Sequence, residues 1–272
     1  VGYTSRVPAT GEILNALTWE SEPDPAAYQS KPTFFESAAT GGIAVTTVAL
    51  ARFRGTGLTE AALRGASFVP FTEDSAEDLR IALIAEAALR GDHSVVYAYE
   101  RELDHCGHVH GCSSATWLEQ LARIDAMCER LRAALPPEVT LIITADHGMI
   151  DIPTQQRIVA EDDPALMAGV SALAGEGRFR QLYVDHDLPQ RVADRWRARL
   201  GELAWVRTRD EAIDEGWFAA IDDQLRDRWG HVLVALRGDW AIMTRTFPRE
   251  FTLIGMHGSL TPAEMLVPLI VA

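Results

Sequence analysis

Cysteine is scarce in this chain: Cys106, Cys112 and Cys128 are the only three among 272 residues. An odd count without C-x-x-C spacing argues against a disulfide framework and for a reducing compartment, so a cytoplasmic location is expected. No apolar run approaches the roughly 20 residues of a membrane-spanning helix, and no signal-peptide pattern is present. Positive charge is short as well. Lys and Arg total 25 against 39 Asp and Glu, a formal net charge of −14. General nucleic-acid binding and membrane-surface binding both need a basic face, so both are excluded as primary roles. Internal repeats and low-complexity tracts are absent too, which excludes a repeat array.

What is present is an ordinary globular composition, 47% hydrophobic and 24% charged, on a chain long enough to bury a large core. Pro8, Gly11, Pro23 and Pro25 break the opening stretch into turns, with Ile13 to Leu17 as a short strand. Thr33, with Glu36 three residues on, reads as the capped start of a helix running to Ala39. Ile43 to Leu50 is a β-rich run and Ser75 to Leu89 an amphipathic helix. Ser94 to Tyr99 is a short buried strand that leads into Asp104. Trp117, Leu118, Leu121, Ile124, Leu131 and Leu135 recur at helical spacing through 114–135. Pro136 and Pro137 stop that helix, and Val139 to Thr144 forms the next strand. Strand, loop, helix and strand in this order predict a βαβ unit and a parallel sheet. Met265 to Ala272 reads as a further buried strand.

Between about 153 and 251 the texture changes to an α+β mixture. Arg180 to Val184, Leu203 to Arg207 and His231 to Leu236 read as strands, Gln190 to Leu200 as a helix, and Ile213 to Phe218 continues the mixture. The expected organisation is therefore a core α/β domain over 1–152, an inserted α+β subdomain over 153–251, and a return to the core sheet over 252–272. The fold class is α/β, a mainly parallel sheet with helices on both faces. Such an insert would cover a site and shape substrate choice.

Three short segments carry the chemistry: Asp104-His105-Cys106-Gly107-His108-Val109-His110-Gly111, Ala145-Asp146-His147-Gly148 and Gly255-Met256-His257-Gly258. Two follow strand-like runs and the third precedes one, and open α/β sheets collect ligands at the carboxyl ends of their strands. Carboxylate oxygen and imidazole nitrogen both ligate zinc and similar ions. Asp104 and His108 are expected in a loop, with Gly107 and Gly111 allowing tight turns. Asp146 and His147 can ligate only if the backbone leaves the strand there, which Gly148 permits. Any one fragment alone reads as turn chemistry. Together they point to a divalent metal centre and to hydrolysis.

Asp104-x-x-Gly107-His108-x-x-Gly111, Ala145-Asp146-His147-Gly148-Met149 and Gly255-x-His257-Gly258 resemble the metal motifs of the alkaline phosphatase superfamily. The branch they are most similar to is the nucleotide pyrophosphatase/phosphodiesterase (type I phosphodiesterase) family, which Pro32-Thr33-Phe34-Phe35-Glu36 also resembles. The resemblance implies an alkaline-phosphatase-like fold and two divalent ions, zinc first and manganese as an alternative. Asp104, His108 and His257 would hold one, Asp146 and His147 the other. It implies a small phosphoester or nucleotide substrate. The family's remaining aspartate and its Thr or Ser nucleophile have no match here. Val1-Gly2-Tyr3 is similar to the segment that follows them, so both are expected upstream. Phosphomonoesterase, phosphonate hydrolase, phosphomutase and a non-catalytic metal-binding homologue are the alternatives.

The other candidates have plainer readings. Thr4, Ser5 and Thr10 read as loop hydroxyls, and Cys106 and Cys112 as packing residues. His105 and His110 read as outer or exposed loop histidines, and His93, His186 and His231 as surface or packing residues. Tyr97, Tyr99 and Trp117 read as core, and Arg191 to Arg199 as the solvated face of a helix.

Overall fold

A computed structural model describes residues 3–20, 23–185, 187–218 and 221–272; His186 and the Val1-Gly2 pair lie outside them. The chain divides into two compact units. One comprises Ala16–Leu103, Leu118–Thr144 and Leu269–Ala272, the other Val1–Asn15, Asp104–Trp117 and Ala145–Pro268.

In the first unit three parallel strands lie in the order Ser67–Phe71, Ala44–Leu50, Ser94–Ala98. The central strand is buried on both faces, so its sequence, Ala-Val-Thr-Thr-Val-Ala-Leu, does not alternate in polarity. Val48 and Leu50 pack with Ile81 and Ile84 of the helix Glu77–Ala88 and with Met127 and Leu131 of the helix Ala115–Ala134. Val45, of opposite parity and so on the other face, packs with Phe35 and Ala38 of the helix Phe34–Thr40. Helices thus cover both faces of a parallel sheet, as the sequence predicts. The expected cap is present. Thr33 Oγ1 accepts from Glu36 N at 2.9 Å and the Glu36 carboxylate accepts from Thr33 N at 2.8 Å, an arrangement that stabilises a helix by about 1 kcal/mol.

Several expectations fail here. Ile142–Thr144 pairs antiparallel with Leu269–Val271, and among the described residues no ladder joins it to Ser94–Ala98. Met265 ends a short helix, Pro262–Met265. Only Leu269–Val271 is strand, and it is exposed rather than buried, Leu269 by 73%; a two-stranded ladder has no layer to cover its faces. Ser94–Ala98 is likewise only half-buried, with Tyr97 37% exposed. Tyr97 stacks on Tyr99, ring centroids 6.4 Å apart, so this pair is not core, and Trp117 is only half-buried.

The second unit is built on four antiparallel strands in the order Ala204–Thr208, Val232–Leu236, Phe179–Tyr183, Ala172–Glu176. The helix Pro189–Leu200 lays Val192, Trp196 and Leu200 against Leu182, Val206 and Val234. Its arginines pair outward, Arg195 with Asp187 at 2.9 Å and Arg197 with Asp194 at 2.9 Å, as a solvated face should. A two-residue antiparallel ladder pairs Gly255 with Asp151 and Met256 with Ile150, bringing the second and third motifs side by side. No helix among the described residues is long and apolar enough to cross a membrane.

Two buried ion pairs brace this unit. Arg178 and Glu264 meet bidentately, Nε to Oε1 at 3.0 Å and Nη2 to Oε2 at 2.7 Å. Arg180 and Glu250 form a second pair, and Arg180 Nε donates to the Ile242 carbonyl at 2.8 Å. All four side chains are buried. Breaking such a pair leaves an uncompensated charge, at a cost of roughly 3–5 kcal/mol. Arg178→Met should therefore lower the unfolding free energy by about that much in urea, and Arg178→Met with Glu264→Gln should recover part of it. A single variant as stable as the parent would refute this.

Candidate metal centre

Asp104 and His108 sit on a helix, Glu102–His110, and not in the expected loop. Four residues apart on a helix, they share one face, and His108 Nε2 lies 3.3 Å from Asp104 Oδ1. Gly107 is therefore not a turn residue. A Cβ there would stand 2.5 Å from Met149 Sδ, so glycine is what lets the helix approach the second motif. The helix is also tied to the third motif: Ile254 N donates to the His108 carbonyl at 2.7 Å, and His108 Nδ1 pairs with the Gly255 carbonyl at 2.8 Å. That contact makes Nδ1 the protonated nitrogen and leaves the Nε2 lone pair toward Asp104.

Asp104, His108 and His257 offer ligand atoms that all lie within 4.8 Å of one another. His257 Nε2 is 3.8 Å from Asp104 Oδ1, and that oxygen is buried without a hydrogen-bond partner. A buried carboxylate oxygen left unpaired beside two imidazoles fits a divalent cation, which would satisfy it. His147 joins the group by stacking on His257, ring centroids 3.5 Å apart and planes 14° apart. Asp146 lies outside the trio, its side chain largely exposed, with its Oδ1 3.8 Å from His147 Nε2.

Electrostatics keep the His257 imidazole neutral without metal. Burial pushes the His257 pKa from 6.5 to about 2, and the neighbouring imidazoles of His147 and His108 add to the effect. Burial also raises Glu176 to about 7, with Glu250 and Asp104 adding repulsion; Glu176 Oε2 stands 3.5 Å from His257 Nδ1.

The remaining candidates fall away from the trio. Thr4 Oγ1 donates to the Gly175 carbonyl at 2.8 Å and is buried. Cys106 is buried in the helix, and all three cysteines are free thiols. His105 and His110 are exposed on the helix, not in a loop, and His93 is exposed. His231 Nδ1 accepts from Val184 N at 2.9 Å, a packing role. Sequence reasoning missed Glu176 and also Asp151, whose carboxylate accepts from Cys112 N at 2.6 Å and Ser113 N at 3.1 Å and fixes the turn after the helix. Nothing local distinguishes either acid; a third acid just after Asp146-His147-Gly148 was the only available hint for Asp151.

A group whose folded pKa lies below its unfolded value gives stability that is present above the unfolded pKa and lost as pH falls. His257 should thus cost the metal-free protein about 2 kcal/mol between pH 7 and pH 5. His257→Asn should lose correspondingly less over the same interval in denaturant titrations. Identical pH slopes for parent and variant would contradict the buried neutral imidazole.

The family described as type I phosphodiesterase / nucleotide pyrophosphatase matches residues 1–260 of the chain. No curated protein sequence matches it. Among solved structures, murine ectonucleotide pyrophosphatase/phosphodiesterase 5 is similar at a TM-score of 0.75 and 19% identity, covering 100% of this chain and 71% of that one. The same murine protein in an inactive form with AMP gives 0.75 at 18% identity, with the same coverage of both chains. Phosphonoacetate hydrolase from Sinorhizobium meliloti gives 0.67 at 17%, covering 100% and 73%. At these identities the structural likeness establishes the fold, and the family match establishes descent. The chain belongs to the type I phosphodiesterase / nucleotide pyrophosphatase family of phosphoester hydrolases.

Proposed function

We propose that this chain is a metal-dependent hydrolase of phosphodiester or pyrophosphate bonds, acting on a small phosphoester or nucleotide. Asp104, His108 and His257 would hold one divalent ion, and Asp146 and His147 would contribute to a second. The observation that carries the reading is the trio of ligand atoms within 4.8 Å, one of them the unpaired buried Oδ1 of Asp104. Imidazole nitrogen with carboxylate oxygen suits zinc, with manganese as the alternative. When bound, such ions lower the pKa of an attacking hydroxyl and stabilise a leaving oxygen.

The chain's own residues supply orientation. The Gly255 carbonyl fixes which nitrogen His108 presents, Gly107 sets how closely the helix approaches Met149, and the His147 ring backs His257. Ions held there would offset the chain's net charge of −14 where an anionic substrate must approach. That a similar structure was solved with AMP supports a nucleotide substrate. Likeness to phosphonoacetate hydrolase favours phosphonate cleavage as the second reading. We also retain the division into a core over 1–152, an insert over 153–251 and a return over 252–272; the four-stranded antiparallel sheet, lying wholly within the middle stretch, supports it.

Asp104→Ala and His257→Ala should each remove about one ion per protein by elemental analysis, because each deletes a ligand atom of the same trio. Unchanged metal content in both would overturn the site. The purified protein should cleave a nitrophenyl nucleotide ester faster than nitrophenyl phosphate. The reverse preference would make it a monoesterase, and faster turnover of phosphonoacetate would select the second reading.

A further inference from the structure

The imidazole of His257 stands between two carboxylates. Its Nε2 faces Asp104 Oδ1 at 3.8 Å, and its Nδ1 faces Glu176 Oε2 at 3.5 Å. The ring also stacks on His147, which sets its plane. We propose that Glu176 is a positioning residue for His257: its carboxylate holds the proton on Nδ1, which leaves the Nε2 lone pair for the cation site. The assignment rests on the metal reading given above.

Three observations converge on it. Glu176 ends the strand Ala172–Glu176, opposite Phe179 in the ladder, and the paired strand carries Arg180, locked to Glu250 and Ile242. The carboxylate therefore comes from a rigid element, as a positioning group should. Gly258 has φ +113, and a Cβ there would stand 3.6 Å from the Glu176 carboxyl carbon; the backbone beside His257 takes a glycine-favouring conformation facing this carboxylate. His108 supplies the comparison. Its Nδ1 meets a neutral carbonyl, whereas that of His257 meets an acid, and an acid raises the basicity of the imidazole it orients. The two histidines of the trio are thus held by unlike partners.

The test is zinc affinity of the purified protein by chelator competition, together with the imidazole 15N shifts of His257 and the melting midpoint, both in the zinc-free state. Glu176→Ala should bind zinc about 10–100-fold more weakly. The zinc-free variant should stay folded, with its His257 signals moved away from the Nδ1-protonated form. Glu176→Gln, which keeps the volume without the charge, should fall between variant and parent, and it decides the matter should the alanine variant not fold. A folded Glu176→Ala with parental affinity overturns the proposal, as does Glu176→Gln with parental affinity and parental 15N shifts where the alanine variant does not fold. Asp104→Ala separates the two readings. If the parent binds zinc, Asp104→Ala does not, and the Glu176 variants bind as the parent does, only the role of Glu176 falls. A parent that binds no zinc ends both.

Discussion

Two arginines two residues apart, Arg178 and Arg180, reach from the antiparallel sheet to Glu264 and Glu250, and the placement of His257 depends on them. Glu250 lies before His257 in the chain and Glu264 after it. Glu264 also accepts from Ser259 N at 3.0 Å, and Arg180 holds the Ile242 carbonyl at 2.8 Å. Burying four charges is no route to net stability, since apolar residues of equal volume would hold the fold as well or better. What the pairs supply is direction. A guanidinium fork meeting a carboxylate in two bonds has one favourable geometry, whereas a greasy contact has many. The segment carrying His257 is pinned on both flanks by such geometry, and the imidazole reaches the cluster as a consequence.

Once there, the ring meets a low-dielectric, crowded setting. Three imidazoles packed with their centroids 3.5 to 5.2 Å apart cannot share positive charge; desolvation and mutual repulsion hold His257 neutral. Neutrality is the form that ligates a cation. The same burial leaves Asp104 Oδ1 without a hydrogen bond, a cost that persists until something positive arrives. A divalent cation bound there would pair with that oxygen and accept the neutral imidazole nitrogen of His257.

Much of this was legible in the sequence, and the reasons for the rest are physical. The capping box at Thr33, the doubly covered strand ending at Leu50 and the gathering of Asp104, His108 and His257 were readable, because each depends on local spacing or on residue types with few other uses. The helix at Glu102–His110 was not, because Gly107 and Gly111 argue for turns by propensity. Gly111 does end the helix, but Gly107 is there for close approach to Met149, a contact that only the tertiary structure reveals. Arg178 and Arg180 were equally opaque. A charged residue on a strand, as Arg180 is, or on the turn before it, as Arg178 is, normally faces solvent, and here both are fully buried because their partners come from 86 and 70 positions further along the chain. The expected burial of 265–272 failed for the opposite reason: an apolar run guarantees a preference for cover, and the ladder with Ile142–Thr144 provides only an edge.

Distance along the chain also explains why the site is built as it is. The three motifs begin at 104, 145 and 255, and no local element could bring them together. The ladder of Gly255–Met256 with Ile150–Asp151 sets two of them in register, and the backbone bond from Ile254 to His108 adds the third. Side-chain register then follows from backbone register: the residue after Met256 and the residues before Ile150 must lie near one another, and His257 stacks on His147. Backbone hydrogen bonds are indifferent to pH in the range where imidazoles and carboxylates titrate. A site whose spacing is fixed by main-chain ladders, and only its electrostatics by side chains, keeps its shape when its charge state changes. That separation fixes where His147 and His257 lie independently of the charge on either ring.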